Sequence, residues 1–293
     1  MRTLIATWLT AGGSPVSAWG YRSDNMQYLL IFDLALALYS VGMLLCGLAM
    51  FRPRGLAAKA AWAVLPLAIL VHATSFVVQW YSQAIFPLHS LLGAFSLYAL
   101  LAFLGAVRFA HATGSASAAF SLGAVPYAAL LLAFLSRFHG VQLKTELPPS
   151  FLSAHLFAVM ASFAAFSLAA GSGLLLLKME KALKQKSFGP FWEAMPPLEA
   201  LDRETYRYII VGFCFLSVGI GIGIGGAPLA WGGGWFHDRR LLTSLVIWAL
   251  YGLYLVARAR YGWRGRKLAV FSVGAFALTL VTYVLINMGK YVL

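Results

Sequence analysis

One short stretch of the sequence concentrates residues that can bind a flat, acidic ligand. Between two apolar runs the chain reads Trp231, Gly232, Gly233, Gly234, Trp235, Phe236, His237, Asp238, Arg239 and Arg240. The aromatic faces can stack on an apolar ring system, and the glycines let the backbone lie close to it. The two arginines can pair with carboxylates. Residues 231–240 are termed the aromatic loop.

Heme combines a flat macrocycle with two propionates, and its iron takes histidine nitrogen as an axial ligand. Four of the six histidines lie at or beside the membrane face that the topology below predicts to be external: His89, His139, His155 and His237. An aromatic belt at a membrane interface, where tryptophan is enriched, also fits the aromatic loop. The residue types alone leave both interpretations open.

The elements that position these residues are predicted from composition and run length. The chain has 293 residues, of which 61% are hydrophobic and 11% charged, whereas soluble domains have roughly 45–50% and roughly 25%. This composition excludes a soluble globular protein, a disordered chain and a disulfide scaffold. The apolar runs extend for about twenty residues without alternation, which favours an all-α polytopic bundle of about eight transmembrane helices over a β-barrel.

The eight predicted segments follow from these runs. They are Met26 to Phe51, Ala60 to Trp80, His89 to Val107, Ala118 to Leu135, Phe151 to Leu177, Tyr208 to Leu229, Leu241 to Ala257 and Leu268 to Met288.

The net charge of +13 is explained by topology. Counted over alternate loops, fifteen of the 22 lysines and arginines fall on one side of the predicted membrane and seven on the other. Because cytoplasmic loops carry the excess of cations, both termini are predicted to lie outside, and no nucleic-acid partner is expected. Residues 1–25 are interpreted as an external or interfacial arm, and residues 26–293 as one transmembrane domain. Its cytoplasmic insert at residues 178–207 mixes both charge signs with three prolines, which favours interfacial helices over a folded domain.

Ionisable residues inside the apolar segments are few, and two of them are Asp33 and His72. Asp33 is interpreted as an interface carboxylate that pairs with a neighbour or reaches the headgroups. His72 is interpreted as a buried imidazole bonded to an adjacent helix, with a ligand or proton-relay role as the alternative.

Glycines near the end of the sixth segment satisfy G-x-G-x-x-G at positions 221–226. A dinucleotide fingerprint needs a preceding strand, which is not expected here. Gly219, Gly221, Gly223 and Gly225 are instead predicted to let a neighbouring helix approach closely.

The aromatic loop and its flanks resemble a known family. Trp231 to Trp235, followed by Asp238, is similar to the tryptophan-rich WWD signature of heme-handling cytochrome c assembly proteins. Residues 198–209 and 261–266 resemble the segments that flank this signature in the system II (CcsA/ResC-like) branch. Residues 153–163 resemble the start of its fifth helix, and the likeness extends from about Leu65 to the C-terminus.

The resemblance implies a transient b-type heme at the outer face, held by two external histidines. The first of these matches His155. The second lies after the last helix in the family, and this sequence has no histidine there. The residues expected to bind heme are His155, His237, His89, Trp231, Gly232, Trp235, Asp238, Arg239 and Arg240.

Iron is therefore expected to be bound by His155 and His237, with His89 or no second protein ligand as alternatives. Asp238 can accept a hydrogen bond from one His237 ring nitrogen and leave the other for iron. Asp238 is also expected to fix the loop by accepting hydrogen bonds from backbone amides. A further family histidine, in the helix after the signature, is matched by an apolar residue near Val256.

The function implied by the resemblance is heme binding at the outer face of the bacterial inner membrane and presentation of heme for covalent attachment to apocytochrome c. The chain would be a heme-delivery or cytochrome c synthase component rather than a stand-alone enzyme. Its expected partners are apocytochrome c, a second cytochrome c assembly membrane protein and the lipid bilayer. The alternative is a non-catalytic membrane scaffold or regulatory protein of the same fold that has lost heme transport.

Overall fold

The computed structural model describes residues 26–52, 55–83, 88, 90–137, 148–186, 189–231 and 235–288. Every regular element in these ranges is helical. The α-helices of these ranges are α1 (Met26–Ala49), α2 (Leu56–Gln83), α3 (Leu91–Thr113), α4 (Ala116–Ser136), α5 (Pro149–Lys184), α6 (Pro190–Glu193), α7 (Leu198–Trp231), α8 (Arg239–Tyr261) and α9 (Arg266–Met288).

Eight of these helices are long and apolar enough to cross a membrane. The predicted all-α polytopic bundle is therefore confirmed, while the external position of both termini stays a prediction. The N-terminal arm at residues 1–25 lies outside the described residues.

The insert predicted at residues 178–207 is largely a continuation of its neighbouring helices. The 36-residue α5 runs on to Lys184, and α7 begins at Leu198, ten residues before the predicted segment. At 1.5 Å per residue, α5 is about 54 Å long, well beyond an apolar layer of about 30 Å. Among the described residues between these two helices, the short α6 is the one helix.

Close packing at the centre of the bundle relies on small residues. α5 and α7 form the most extensive helix pair of the described residues. A Cβ added to Gly212 of α7 would lie 2.5 Å from Phe166 Cε1 of α5, so the two helices approach closely at a glycine, as small residues allow in membranes. On its other side, Phe166 stacks on Tyr251 of α8 with ring centroids 3.6 Å apart.

Ion pairs fix the bundle at the end predicted to be cytoplasmic. Glu204, almost fully buried, pairs with Arg108 and lies 3.3 Å from Arg207. Asp202 accepts from Arg258 at 2.9 Å and from the backbone N–H of Gly265 at 2.8 Å, which ties the turn before α9 to α7. Sequence reasoning placed these carboxylates in the insert and missed both clusters.

At the other end, Arg137 donates to both carboxylate oxygens of Asp33, at 2.8 and 3.0 Å. This confirms the interpretation of Asp33 as a paired interface residue. His72 is fully buried and its Nε2 lies 2.7 Å from Ser96 Oγ of α3, which confirms the predicted bond to a neighbouring helix.

Candidate functional site

His155 lies near the start of α5, at the end of the bundle predicted to face outside. The helix begins at Pro149, a residue that is favourable in the first turn because its missing N–H would have no helical partner there. At 1.5 Å per residue, His155 lies about 9 Å along the axis from that start. Its side chain is half-buried against α7.

The His155 ring makes one specific hydrogen bond. Its Nδ1 lies 2.9 Å from the backbone carbonyl oxygen of Gly219 in α7. A carbonyl oxygen only accepts, so Nδ1 carries the proton and donates. In a neutral imidazole with this tautomer, Nε2 has a lone pair for another group.

Glycines of α7 make this bond possible. A Cβ added to Gly223 would lie 3.1 Å from His155 Cε1, and one added to Gly219 would lie 3.4 Å from Val159 Cγ2. Because residues four apart share a helix face, these two glycines together open one face of α7 to α5. The prediction that they let a neighbouring helix approach closely is confirmed, whereas Gly221 has nothing within 4 Å of an added Cβ.

The hydrogen bond from His155 to Gly219 is compatible with metal binding by the other ring nitrogen. Histidines that bind a metal almost always donate their other ring N–H to a carboxylate, backbone carbonyl or water, which fixes the tautomer and the ring orientation. His155 has that partner in Gly219. An axial bond to heme iron from Nε2 is therefore compatible with the observed geometry.

The aromatic loop connects α7 to α8. Trp231 is the last residue of α7, and Trp235–His237 form one 3-10 turn, in which Trp235 is half-buried and His237 is exposed. Asp238 then caps α8, because its Oδ1 accepts from the backbone N–H of Arg240 at 2.7 Å. The predicted hydrogen bond from a backbone amide to Asp238 is confirmed.

Two cations follow the cap in the first turn of α8. Arg239 and Arg240 are both exposed residues. Val256, the match for the further family histidine, lies on the same helix and is also exposed.

Several expected site residues fall outside the described part of the chain. These are His89, Gly232 and the side chain of Trp231. His139, which was predicted only to be external, also lies outside that part. The second iron ligand and the tryptophan wall therefore stay predictions.

Sequence reasoning singled out His155 and the α7 glycines separately and missed that they form one contact. The four alternate glycines from Gly219 to Gly225 were predicted to let some neighbouring helix approach closely. Nothing in the local pattern identified α5 as the helix that packs there.

The sequence of this chain is similar to those of known proteins. The sequence model of the family described as "Cytochrome C assembly protein" matches residues 35–293. The cytochrome c biogenesis protein CcsA of Synechococcus sp. (strain CC9902) is 27% identical over 248 residues, which cover 76% of this chain and 81% of the relative. CcsA of Microcystis aeruginosa (strain NIES-843 / IAM M-2473) is 39% identical over 93 residues, 31% of this chain and 28% of the relative.

One solved structure shares the fold. The cytochrome c heme lyase CcmF superposes with a TM-score of 0.59 at 18% sequence identity, covering 92% of this chain and 48% of that chain. At this identity the likeness concerns the helical architecture alone.

Proposed function

Because the chain belongs to the cytochrome c assembly protein family, we propose that it binds heme through His155 and presents it for attachment to apocytochrome c. Family membership and the CcsA relatives support a role in cytochrome c biogenesis. Beyond this role, the proposal names heme as the ligand, His155 as the residue that binds it, and attachment to apocytochrome c as the step that it serves.

The observation that carries the proposal is the hydrogen bond between His155 Nδ1 and Gly219 O. It holds the ring in one orientation and leaves Nε2 for iron. Gly223 leaves room for that ring position, since a Cβ there would meet His155 Cε1 at 3.1 Å. Two helices that pack closely thus preorganise one axial ligand.

The aromatic loop supplies the proposed contacts to the rest of the ligand. Trp231 and Trp235 would stack on the macrocycle, with Gly232 allowing a close backbone approach. Arg239 and Arg240 would pair with the propionates. Asp238 positions both arginines because it fixes the first turn of α8 through the Arg240 N–H.

The second axial ligand is proposed to be His237, which is exposed in the 3-10 turn beside Asp238. His89 is the alternative. When bound, b-type heme supplies the vinyl groups that form thioether bonds with the thiols of a Cys-x-x-Cys-His segment. The protein contributes position, by holding heme where an exported apocytochrome c can reach it.

The protein is a multi-pass membrane protein, as its eight apolar helices and family show. We place it in the bacterial inner membrane, with His155 and the aromatic loop at the outer face. The proposed partners are apocytochrome c and a second membrane protein of the assembly system.

An absorption spectrum tests the proposal. The full-length protein, purified from membranes of a heme-producing host, is expected to show a Soret band with reduced α and β bands. His155→Ala is expected to lower the heme per protein by at least tenfold, since it removes an axial ligand. His111→Ala is the matched control, because His111 lies in the last turn of α3 and its ring packs 5.2 Å from that of Trp62.

Undiminished heme in His155→Ala would remove His155 from the site. Absence of a Soret band from the wild-type protein, purified from heme-replete membranes and unresponsive to added heme, would favour the scaffold or regulatory alternative.

A further inference from the structure

A basic cleft lies at the opposite end of α5 from His155, where α5 leaves the apolar layer beside the start of α9. It has a volume of about 500 Å³. Its walls combine cationic and apolar side chains, namely Lys178, Lys181, Lys184, Arg266, Leu177 and Val270. The proposed heme function uses none of these residues.

The cleft carries an excess of positive charge. Among the described residues, one carboxylate forms ion pairs with these cations: Glu180 accepts from Lys184 at 2.5 Å and lies 3.8 Å from Arg266. Lys178 and Lys181 have no ion-pair partner among the described residues, and both are exposed. The four lining cations outnumber the one carboxylate that pairs with them, so the cleft favours an anion.

The apolar wall continues into the part of the bundle that faces lipid. Val270 is 53% exposed, and Leu174, one turn from Leu177 on α5, is 43% exposed. A free phosphate would use the cations and leave this apolar surface unused. A ligand with an anionic head and a hydrocarbon tail would contact both the cations and the apolar surface.

Aromatic residues place the cleft at the level of lipid headgroups. Tyr261 is the last residue of α8, Trp263 lies in the turn that precedes α9, and both are exposed. Tryptophan and tyrosine are enriched at membrane interfaces. Lys267 lies over the Trp263 ring, with its Nζ 5.7 Å from the centroid. The apolar run of α5 ends at the same level, at Leu177.

We propose that this cleft is a binding site for an anionic phospholipid. The phosphate lies among Lys178, Lys181 and Arg266, and an acyl chain follows Val270 along α9. Anionic lipid near a membrane surface is attracted by each lysine that it contacts. The ligand class is a phosphodiester lipid with net negative charge, such as phosphatidylglycerol.

Native mass spectrometry of the full-length protein tests the proposal. The protein is released from bilayers that contain equal amounts of phosphatidylglycerol and phosphatidylcholine, and the retained lipids are identified. The wild-type protein is expected to retain phosphatidylglycerol in preference to phosphatidylcholine. Lys178→Gln/Lys181→Gln is expected to weaken that binding by about 25-fold, since each lysine contributes about fivefold.

The matched control is Arg52→Gln/Lys59→Gln. It removes the same charge from two exposed residues at the junction of α1 and α2, which the topology places on the same side of the membrane. This pair is expected to retain phosphatidylglycerol as the wild type does. Equal losses in both double variants would show a diffuse basic surface and would overturn the proposal.

Two further outcomes also decide the matter. Equal retention of both lipids by the wild-type protein would exclude an anionic lipid site. Displacement of the lipid by inorganic phosphate at matched concentration would show that the cleft binds the phosphate group and does not recognise the acyl chain. Lipid retention is measured independently of heme content, so a failure here leaves the proposed heme function standing, and the reverse also holds.

Discussion

His72 in α2 and His155 in α5 both lie within membrane-spanning helices, but their surroundings differ. His72 is fully buried, its Nε2 lies 2.7 Å from Ser96 Oγ, and the rings of Phe32, Tyr39 and Phe76 surround it at 5.7 to 5.8 Å. His155 is half-buried and bonded through Nδ1 to a backbone carbonyl.

The comparison separates the structural role of the His72 imidazole from the binding role proposed for the His155 imidazole. The His72 imidazole is enclosed by aromatic rings and uses Nε2 within the protein, so it contributes packing and a link between α2 and α3. The His155 imidazole is held by its Nδ1, which leaves the Nε2 lone pair for the proposed ligand. Variants of each region should therefore change different measured quantities.

The largest effect is expected for His72→Ala. Removing a buried ring leaves a cavity and an unpaired Ser96 hydroxyl, which should lower the free energy of unfolding by about 2–4 kcal/mol. Thermal unfolding in detergent measures this loss. Heme per folded protein is expected to stay at the wild-type level, and a parallel loss of heme would make His72 part of the binding site.

A smaller effect is expected for Gly223→Val, which tests the His155 region of the comparison. The added side chain would displace the His155 ring, because its Cβ would start 3.1 Å from Cε1. Misorienting a ligand in this way should weaken heme binding about 10- to 100-fold, as a heme titration would measure.

Gly221→Val is the matched control for that variant. It places the same side chain on the same helix, where an added Cβ meets nothing within 4 Å. Wild-type heme affinity is expected. Equal weakening of heme binding by both valine variants would mean that any added bulk on α7 has this effect. The contact with His155 would then not be its specific cause.

Asp238→Ala is expected to have a smaller effect, since it removes the N-cap of α8. Loss of a capping side chain costs about 1 kcal/mol. Hydrogen exchange at the Arg240 amide should become faster and heme affinity should fall severalfold. Asp238→Ser can still accept from that amide and should restore slow exchange, whereas a serine variant as defective as alanine would indicate a role other than capping.

The smallest effect is expected for single replacements of Arg239 or Arg240 by glutamine. Exposed charge pairs contribute about 0.2–1 kcal/mol, so heme affinity should fall about two- to fivefold for each. The difference from wild type should shrink as salt concentration rises. A loss that is independent of salt would show that the arginines do not act through propionate charge.

Long apolar runs made the eight membrane helices predictable, because the thickness of a bilayer dictates their length. Local chemistry also predicted the pairing of Asp33 and the bond to Asp238. The contact between His155 and Gly219 was not predictable, since it joins residues 64 apart in sequence and depends on which helices pack together. The ion pair between the buried Glu204 and the exposed Arg108 was missed for the same reason.

The boundaries of α7 show a second limit. Residues 198–207 mix charges and were assigned to the insert, yet they form the first turns of a single helix that ends at Trp231. Helix formation there is compatible with the charges because Asp202 and Glu204 pair with arginines of other helices. Hydropathy detects the part of a helix that lies in lipid and not the part that continues beyond it.

The most direct test of the central claim is chemical rescue of His155→Gly. This variant removes the imidazole and leaves space in which free imidazole can bind iron at the same place. We expect the purified variant to lack the wild-type Soret and α bands and to regain them on titration with imidazole. A His155→Gly protein that keeps the wild-type spectrum without imidazole would contradict the assignment of His155 as an axial ligand.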